Sequence, residues 1–222
     1  MRTVIFDLDG TLADTSADLI AAANACFRGL GHGDLLDPAA DQLTAFHGGR
    51  AMLRLGFSRL GATDEAEVDA QYPVLLAAYE QGIDRHTRLY PGVVDAVEAL
   101  LAAGFRTGIC TNKPAGLAEL LMDRLGVRGL FGSLVGADTL PVRKPDPAPY
   151  LLSVERAGGA VTRSMLVGDT ETDSRTAAAA GVPVALVTFG PEGEGVSRLA
   201  PDALLGRFAD LPALAERLIG PA

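Results

Sequence analysis

The chain has 222 residues, of which 48% are hydrophobic and 21% charged, and this suits one or two globular domains with a full-sized core. Its 28 acidic and 19 basic side chains give a formal net charge of −9. That balance argues against a nucleic-acid partner, because neutralising phosphates takes a basic surface. The apolar run after Met1 is too short for an export signal, and the longest uncharged stretch, residues 176–191, is too short for a membrane-spanning helix. We therefore expect a soluble, cytoplasmic protein without a membrane partner.

The two cysteines, Cys26 and Cys110, lie far apart and without a CxxC spacing. This pattern favours buried, reduced thiols over a disulfide framework or a zinc site.

The first predicted element is a short strand over residues 4–6, which ends at Asp7. From Ser16 to Arg85 the apolar spacing is helical throughout, with glycine and proline as punctuation. We interpret residues 15–86 as an all-helical domain inserted after the first strand, and residues 1–14 with 87–222 as the α/β domain. Pro73 is expected to kink or divide the last of the inserted helices.

After the insertion, short apolar strands alternate with helical patterns. The predicted strands are residues 105–111, 134–136, 165–167 and 184–187, and the predicted helices are 93–103, 117–125, 145–157 and one that ends at Gly181. This alternation predicts an α/β fold with a doubly wound, Rossmann-like parallel sheet.

Polar clusters follow the predicted strands, where a doubly wound sheet gathers its ligands. The clusters after the strands are Asp7 to Thr11, Thr111 to Lys113 and Gly168 to Asp173, and Lys144 stands before the helix expected from Pro145. Each cluster alone is weak evidence for a functional site, because helix caps and solvated side chains produce similar patterns. Together and in this order, they indicate one site.

These residues resemble the motifs of the haloacid dehalogenase superfamily of aspartate-nucleophile phosphatases. Asp7-Leu8-Asp9-Gly10-Thr11 resembles its first motif, Thr111 its second, Lys144 its third, and Gly168-Asp169 with Asp173 its fourth. The resemblance covers essentially the whole chain and implies a helical cap domain after the first motif. Residues 14–19, 110–114 and 143–147 resemble the phosphoglycolate phosphatase subgroup.

The two acids of the first motif are the candidate catalytic residues. Asp7, at the end of a buried strand, is placed to attack phosphorus and form an aspartyl phosphate. The spacing of Asp9 can bring a second carboxyl to the leaving oxygen as general acid, and later to water as general base. The resemblance assigns these roles and also gives the backbone carbonyl of Asp9 to the metal.

The predicted cofactor is Mg²⁺, because carboxylate oxygens with open positions for water and phosphate suit that ion. Its expected ligands are Asp7, Asp9 and Asp169. Asp173, one helical turn after Asp169, is expected to support the metal directly or through its waters.

The phosphate group needs donors of its own. Thr111 and Asn112 lie where a helix is expected to begin, so a hydroxyl and backbone N–H groups can face the anion. The resemblance gives Lys144 the role of holding nucleophile and phosphate together. Lys113 either lines the phosphate site or is a solvated residue of the first helical turn.

Substrate choice is expected to come from the inserted domain. There, Arg50 follows His47-Gly48-Gly49 and can pair with a carboxylate or a second phosphate of the substrate. The alternative is an exposed arginine at a helix start.

The resulting hypothesis is a Mg²⁺-dependent phosphatase that hydrolyses a small phosphorylated metabolite, with 2-phosphoglycolate as the leading candidate, acting as a monomer or homodimer. A sugar-phosphate mutase shares the same core motifs, but residues 16–20 lack the histidine expected in such a mutase. A dehalogenase activity is less expected, because the departure of a halide does not require an acid or base such as Asp9. A non-catalytic phosphate-binding protein on this scaffold is expected to have lost one of the motif residues, and all of them are present.

Overall fold

The computed structural model describes residues 1–61 and 64–220. The chain divides into two compact units, of which one comprises Met1–Ala13 with the chain from Leu89 onwards and the other comprises Asp14–Arg88. We call them the α/β unit and the helical unit. The chain passes between them at residues 13–14 and 88–89, and a short strand lies at each crossing.

The strands of the described residues, in chain order, are β1 (Thr3–Phe6), β2 (Ala13–Asp14), β3 (Arg88–Leu89), β4 (Arg106–Cys110), β5 (Ser133–Val135), β6 (Ser164–Gly168), β7 (Val184–Val187) and β8 (Ala203–Leu205). The α-helices in the same residues are α1 (Ser16–Gly29), α2 (Gln42–Phe46), α3 (Gly49–Ser58), α4 (Glu65–Gln81), α5 (Val93–Ala102), α6 (Ala115–Arg124), α7 (Ala148–Arg156), α8 (Glu171–Ala180) and α9 (Leu211–Ile219). Across the described ranges, every helix is too short or too polar to cross a bilayer.

The α/β unit contains a six-stranded parallel sheet in the order β5-β4-β1-β6-β7-β8. In β1, Phe6 lies beside Ile109 of β4 and Val167 of β6. All four residues of β1 are buried, as expected for a parallel sheet that helices cover on both faces. The strand order reverses between β1 and β6, and such a reversal opens a crevice at the carboxyl ends of the strands. The predicted fold class is confirmed.

One predicted helix begins later than expected. The helix expected over residues 145–157 begins at Ala148. Asp146 precedes Pro147, and the proline ring disfavours helical backbone at the residue before it. The Asp146 side chain instead accepts a hydrogen bond from the Ala148 N–H at 2.9 Å, which satisfies the first N–H of the helix.

The C-terminal part of the sheet was not predicted. Strand β8 has only three residues and pairs with β7, and α9 follows it. With only three residues, β8 is too short to show the periodicity that identifies a strand.

The helical unit consists of α1 to α4. Helix α4 runs without a break past Pro73, so Pro73 does not divide this helix. Phe27 of α1 and Phe57 of α3 pack edge to face, with ring centroids 5.3 Å apart. A Cβ at Gly56 would lie 2.1 Å from the Phe27 ring, so the contact between these helices requires glycine there.

A buried carboxylate joins the two ends of the helical unit. Asp18 of α1 is 3% exposed and accepts hydrogen bonds from the His86 N–H at 3.1 and 2.9 Å. It also accepts from the Thr87 N–H at 2.9 Å and the Thr87 hydroxyl at 2.8 Å. Asp18 therefore holds the segment that leads into β3 against the start of α1.

Candidate active site

The candidate site lies at the carboxyl edge of the sheet, where three neighbouring strands end. Asp7 directly follows β1, Thr111 follows β4 and Asp169 follows β6. Because β1 pairs in parallel with both β4 and β6, these three residues come to one edge although the chain separates them widely.

Asp7 is largely buried and its carboxylate is held from two sides. Its Oδ1 accepts a hydrogen bond from the Leu8 N–H at 2.7 Å and lies 3.0 Å from the ammonium nitrogen of Lys144. Burial raises the pKa of Asp7 from 3.8 to about 6, although Lys144 opposes the shift. The raised pKa therefore reflects chiefly the burial of the carboxylate, to which the charges of Asp173 and Asp9 add.

Lys144 lies between two acids. Its side chain is 1% exposed, and its Nζ is 2.7 Å from Asp173 Oδ1 as well as 3.0 Å from Asp7 Oδ1. Burial disfavours the charged ammonium, but the carboxylates of Asp173 and Asp7 outweigh it and raise the pKa of Lys144 above its ordinary value. The lysine therefore stays protonated beside Asp7.

Asp173 binds both Lys144 and the N-terminal end of α8. While Oδ1 binds Lys144, Oδ2 accepts from the Thr170 hydroxyl at 2.7 Å and the Thr170 N–H at 3.1 Å, which forms the capping box of α8. A Cβ at Gly168 would lie 2.4 Å from Asp173, so only glycine lets β6 approach this carboxylate.

Asp169 supplies the third carboxylate. It is 3% exposed, and its Oδ1 accepts from the Thr11 hydroxyl at 2.9 Å. Burial, together with the charges of Asp173 and Asp7, raises the pKa of Asp169 well above 3.8. Thr11 stands in the first motif, but its contact with Asp169 was not predicted from the sequence.

These three acids form the candidate metal site. Ligand oxygens of Asp7, Asp169 and Asp173 lie within 4.8 Å of one another. Three carboxylates against one lysine leave an excess of negative charge, and hard oxygen donors suit a divalent cation of the Mg²⁺ or Ca²⁺ type. The residues present therefore fit a divalent metal ion.

Asp9 takes a different partner. The Nζ of Lys113 lies 2.8 Å from its Oδ1 and 3.1 Å from its Oδ2. Within the described residues, the cluster of metal-competent acids does not include the Asp9 carboxylate. Lys113 is 6% exposed, so the interpretation of Lys113 as a solvated side chain is wrong.

The candidate phosphate donors lie beside these acids. The Thr111 hydroxyl oxygen accepts from the Lys113 N–H at 3.1 Å, and the Asn112 amide donates to the Lys144 carbonyl at 3.0 Å. Helix α6 begins only at Ala115, after Pro114, and the Ala115 N–H is already bonded to Asp138 at 2.7 Å. The expectation that Thr111 and Asn112 stand at a helix start is therefore wrong, because Pro114 separates them from α6.

Arg50 lies in the helical unit, in the first turn of α3. Its guanidinium pairs with Asp69 and lies 4.4 Å from the centroid of the Tyr72 ring, both on α4. It is therefore held against α4, with its side chain 39% exposed.

The fold and the acids at its strand ends define a family. The family model described as haloacid dehalogenase-like hydrolase matches residues 4–187, and the chain belongs to this family. Phosphoglycolate phosphatase from Agrobacterium fabrum (strain C58) is 38% identical over 219 residues, which cover 97% of this chain and 93% of that protein.

Further relatives agree with this assignment. Phosphoglycolate phosphatase from Mesorhizobium japonicum is 38% identical over 223 residues, covering 99% of this chain and 97% of that protein. The crystal structure of a predicted phosphoglycolate phosphatase from Haemophilus somnus 129PT has a TM-score of 0.85 at 25% identity, and the match covers 96% of this chain and 97% of that one. The resemblance to the superfamily and to its phosphoglycolate phosphatase subgroup is confirmed.

Proposed function

We propose that this phosphatase hydrolyses a small phosphomonoester, with 2-phosphoglycolate as the leading substrate, through a phosphorylated Asp7 and with Mg²⁺ as cofactor. The observation that carries the proposal is the position of Lys144, whose buried ammonium lies 3.0 Å from Asp7 beside two further acids. A protonated lysine at the nucleophile attracts a phosphate dianion to the atom that attacks it.

The expected metal ligands are Asp7, Asp169 and the backbone carbonyl of Asp9. Both oxygens of Asp173 already accept hydrogen bonds, so we assign Asp173 to holding Lys144 and α8 and to supporting the metal indirectly. When bound, Mg²⁺ neutralises charge on the phosphoryl oxygens and keeps Asp7 ionised.

In the first step, a carboxylate oxygen of Asp7 attacks phosphorus. The bond between phosphorus and the substrate oxygen breaks, and that oxygen leaves as an alcohol with a proton from Asp9. The Leu8 N–H holds Oδ1 of Asp7, which limits the rotation of the carboxylate and orients it for attack.

In the second step, water attacks the phosphorus of the aspartyl phosphate. Asp9 takes a proton from that water, the bond from phosphorus to Asp7 breaks, and inorganic phosphate leaves. Lys144 faces the phosphoryl group through both steps, and the Thr111 hydroxyl and Asn112 are its further donors. The two steps return both acids to their starting states.

The central test is Asp7→Asn, with Asp123→Asn on the exposed face of α6 as the matched control. We expect Asp7→Asn to abolish phosphate release while circular dichroism shows an intact fold, and the control to keep wild-type turnover. Acid quenching of the wild type during turnover, followed by mass spectrometry, should find a phosphoryl group on Asp7. Substantial turnover by Asp7→Asn contradicts the mechanism.

The substrate is tested with a panel of phosphorylated metabolites, with free phosphate as the readout. A mutase would retain the phosphate as an isomerised ester, so the same panel distinguishes the two activities. Arg50→Ala tests the recognition of a carboxylate, because this change should raise KM far more for a substrate whose carboxylate binds Arg50 than for an aryl phosphate without a carboxylate. Equal effects on both substrates would remove Arg50 from substrate recognition.

A further inference from the structure

The chain contains two lysines, Lys113 and Lys144, and the structure buries both at the candidate site. They contact different acids: Lys144 lies between Asp7 and Asp173, whereas Lys113 binds Asp9. The proposed roles of Asp7 and Asp9 also differ, since Asp7 forms the covalent bond and Asp9 transfers protons. Each lysine is therefore paired with one of the two catalytic functions.

The contact between Lys113 and Asp9 involves both carboxylate oxygens. The distances of 2.8 Å to Oδ1 and 3.1 Å to Oδ2 place the ammonium across the end of the carboxylate. An unrestrained carboxylate rotates readily, because its terminal torsion has a broad minimum. The ammonium group removes this freedom and holds both oxygens in one orientation.

The backbone of Lys113 is itself held on both sides. Its N–H donates to the Thr111 hydroxyl oxygen at 3.1 Å, and its carbonyl accepts from the Ala137 N–H at 2.9 Å. Its side chain is 3% exposed, against 18% for Asp9. A buried stem on a fixed backbone leaves the ammonium little room to move, so it is a rigid support for a more accessible acid.

We propose that Lys113 is a positioning residue that orients the Asp9 carboxylate for proton transfer, and that it does not serve as a phosphate ligand. The proposal rests on the proposed acid and base role of Asp9. General acid–base catalysis depends on a carboxyl group within hydrogen-bond reach of the reacting oxygen, so a misoriented Asp9 slows proton transfer without weakening substrate binding.

The leaving group distinguishes the two roles of Lys113. An alkyl alcohol leaves poorly without a proton, whereas p-nitrophenolate leaves well without one. A positioning role predicts that Lys113→Met slows the first step strongly for 2-phosphoglycolate and weakly for p-nitrophenyl phosphate. A phosphate ligand contacts the same group in both substrates, so its loss would raise KM equally for both.

The measurement is the single-turnover rate of alcohol or phenol release with enzyme in excess, which isolates the first step. We expect Lys113→Met to lower that rate about 10²-fold for 2-phosphoglycolate, the lower end of what acid–base catalysis contributes. Lys113→Gln keeps a donor without the charge and should recover part of the rate. Equal losses for the two substrates, or unchanged rates, overturn the proposal.

A double-mutant cycle tests whether Lys113 acts through Asp9. In an Asp9→Asn background, Lys113→Met should cost little further rate on 2-phosphoglycolate, because the group it positions is already lost. Additive losses would overturn the proposal. The double variant also removes both charges of the pair, so no unpaired charge is left buried. It can therefore be compared with Asp9→Asn even if Lys113→Met alone folds poorly.

Failure of this inference can be separated from failure of the proposed function. If Asp7→Asn still releases phosphate, the proposed mechanism fails whatever Lys113 does. If Asp7→Asn is inactive and Lys113→Met raises KM equally for both substrates, only the positioning role of Lys113 fails.

Discussion

The carboxylate of Asp18 offers a direct test of how the helical unit is closed. It accepts hydrogen bonds from the His86 N–H, the Thr87 N–H and the Thr87 hydroxyl. Asp18→Asn keeps the shape of the side chain but removes the negative charge, and it turns an NH₂ group towards donors. All three bonds then lose their charged acceptor.

The expected cost follows from these three donors. Hydrogen bonds to charged groups contribute about 1.5–3 kcal/mol and neutral ones about 0.5–1.5 kcal/mol, so Asp18→Asn should lower the free energy of unfolding by about 3 kcal/mol. For a chain of this size, that corresponds to a fall in Tm of about 6–12 °C. The large cost arises because Asp18 and Thr87 are both buried, at 3% and 1% exposed.

Urea denaturation followed by circular dichroism measures this cost, and Thr87→Val is the matched control. That change keeps the volume of the side chain and removes only the hydroxyl bond, so it should cost about 1 kcal/mol. The reasoning is refuted if Asp18→Asn destabilises the protein no more than Thr87→Val does, because the two backbone bonds would then contribute nothing.

Two further predictions concern packing and thiols. Gly56→Ala should destabilise the protein by about 1–3 kcal/mol, because its new Cβ overlaps Phe27, whereas Gly116→Ala in α6 meets no atom within 4 Å and should stabilise it by about 0.5–1 kcal/mol. Urea midpoints compare the two, and equal shifts would contradict the packing argument. Burial raises the pKa of Cys26 to about 11 and that of Cys110 to about 12, so neither thiol should react with a thiol reagent at pH 8 until the protein unfolds. Because the folded state keeps these protons while the unfolded thiols lose theirs, stability should fall as the pH rises above about 9, and rapid labelling of the native protein would contradict this reasoning.

The parts of the site predicted from sequence are those that local patterns encode. The apolar run before Asp7 predicts a strand, and the acids and lysines that follow the strands can be read from their position. The late start of α7 also has a local cause, because Asp146 stands before Pro147, and the sequence already contained that signal.

No local sequence pattern indicated which buried side chains would contact one another. Lys113 and Asp9 are 104 residues apart. From the sequence, Lys113 could equally line the phosphate site or be a solvated side chain. Asp18 and Thr87 are 69 residues apart and were not expected to meet. Contacts of this kind depend on which elements become neighbours in the fold, and local periodicity carries no information about that.

The amino-acid sequence by itself determined most of the elements of this protein and the types of side chain at its candidate site, because helix and strand periods, turn residues and side-chain types are local properties. It placed acids and lysines after the strands and a helical insertion between residues 15 and 86. Only the tertiary structure decided which side chains contact one another. The parallel order β4-β1-β6 brings Thr111, Asp7 and Asp169 to one edge, and burial there strengthens the electrostatic interactions of the two carboxylates. It is this packing that assigns Lys144 to Asp7 and Lys113 to Asp9.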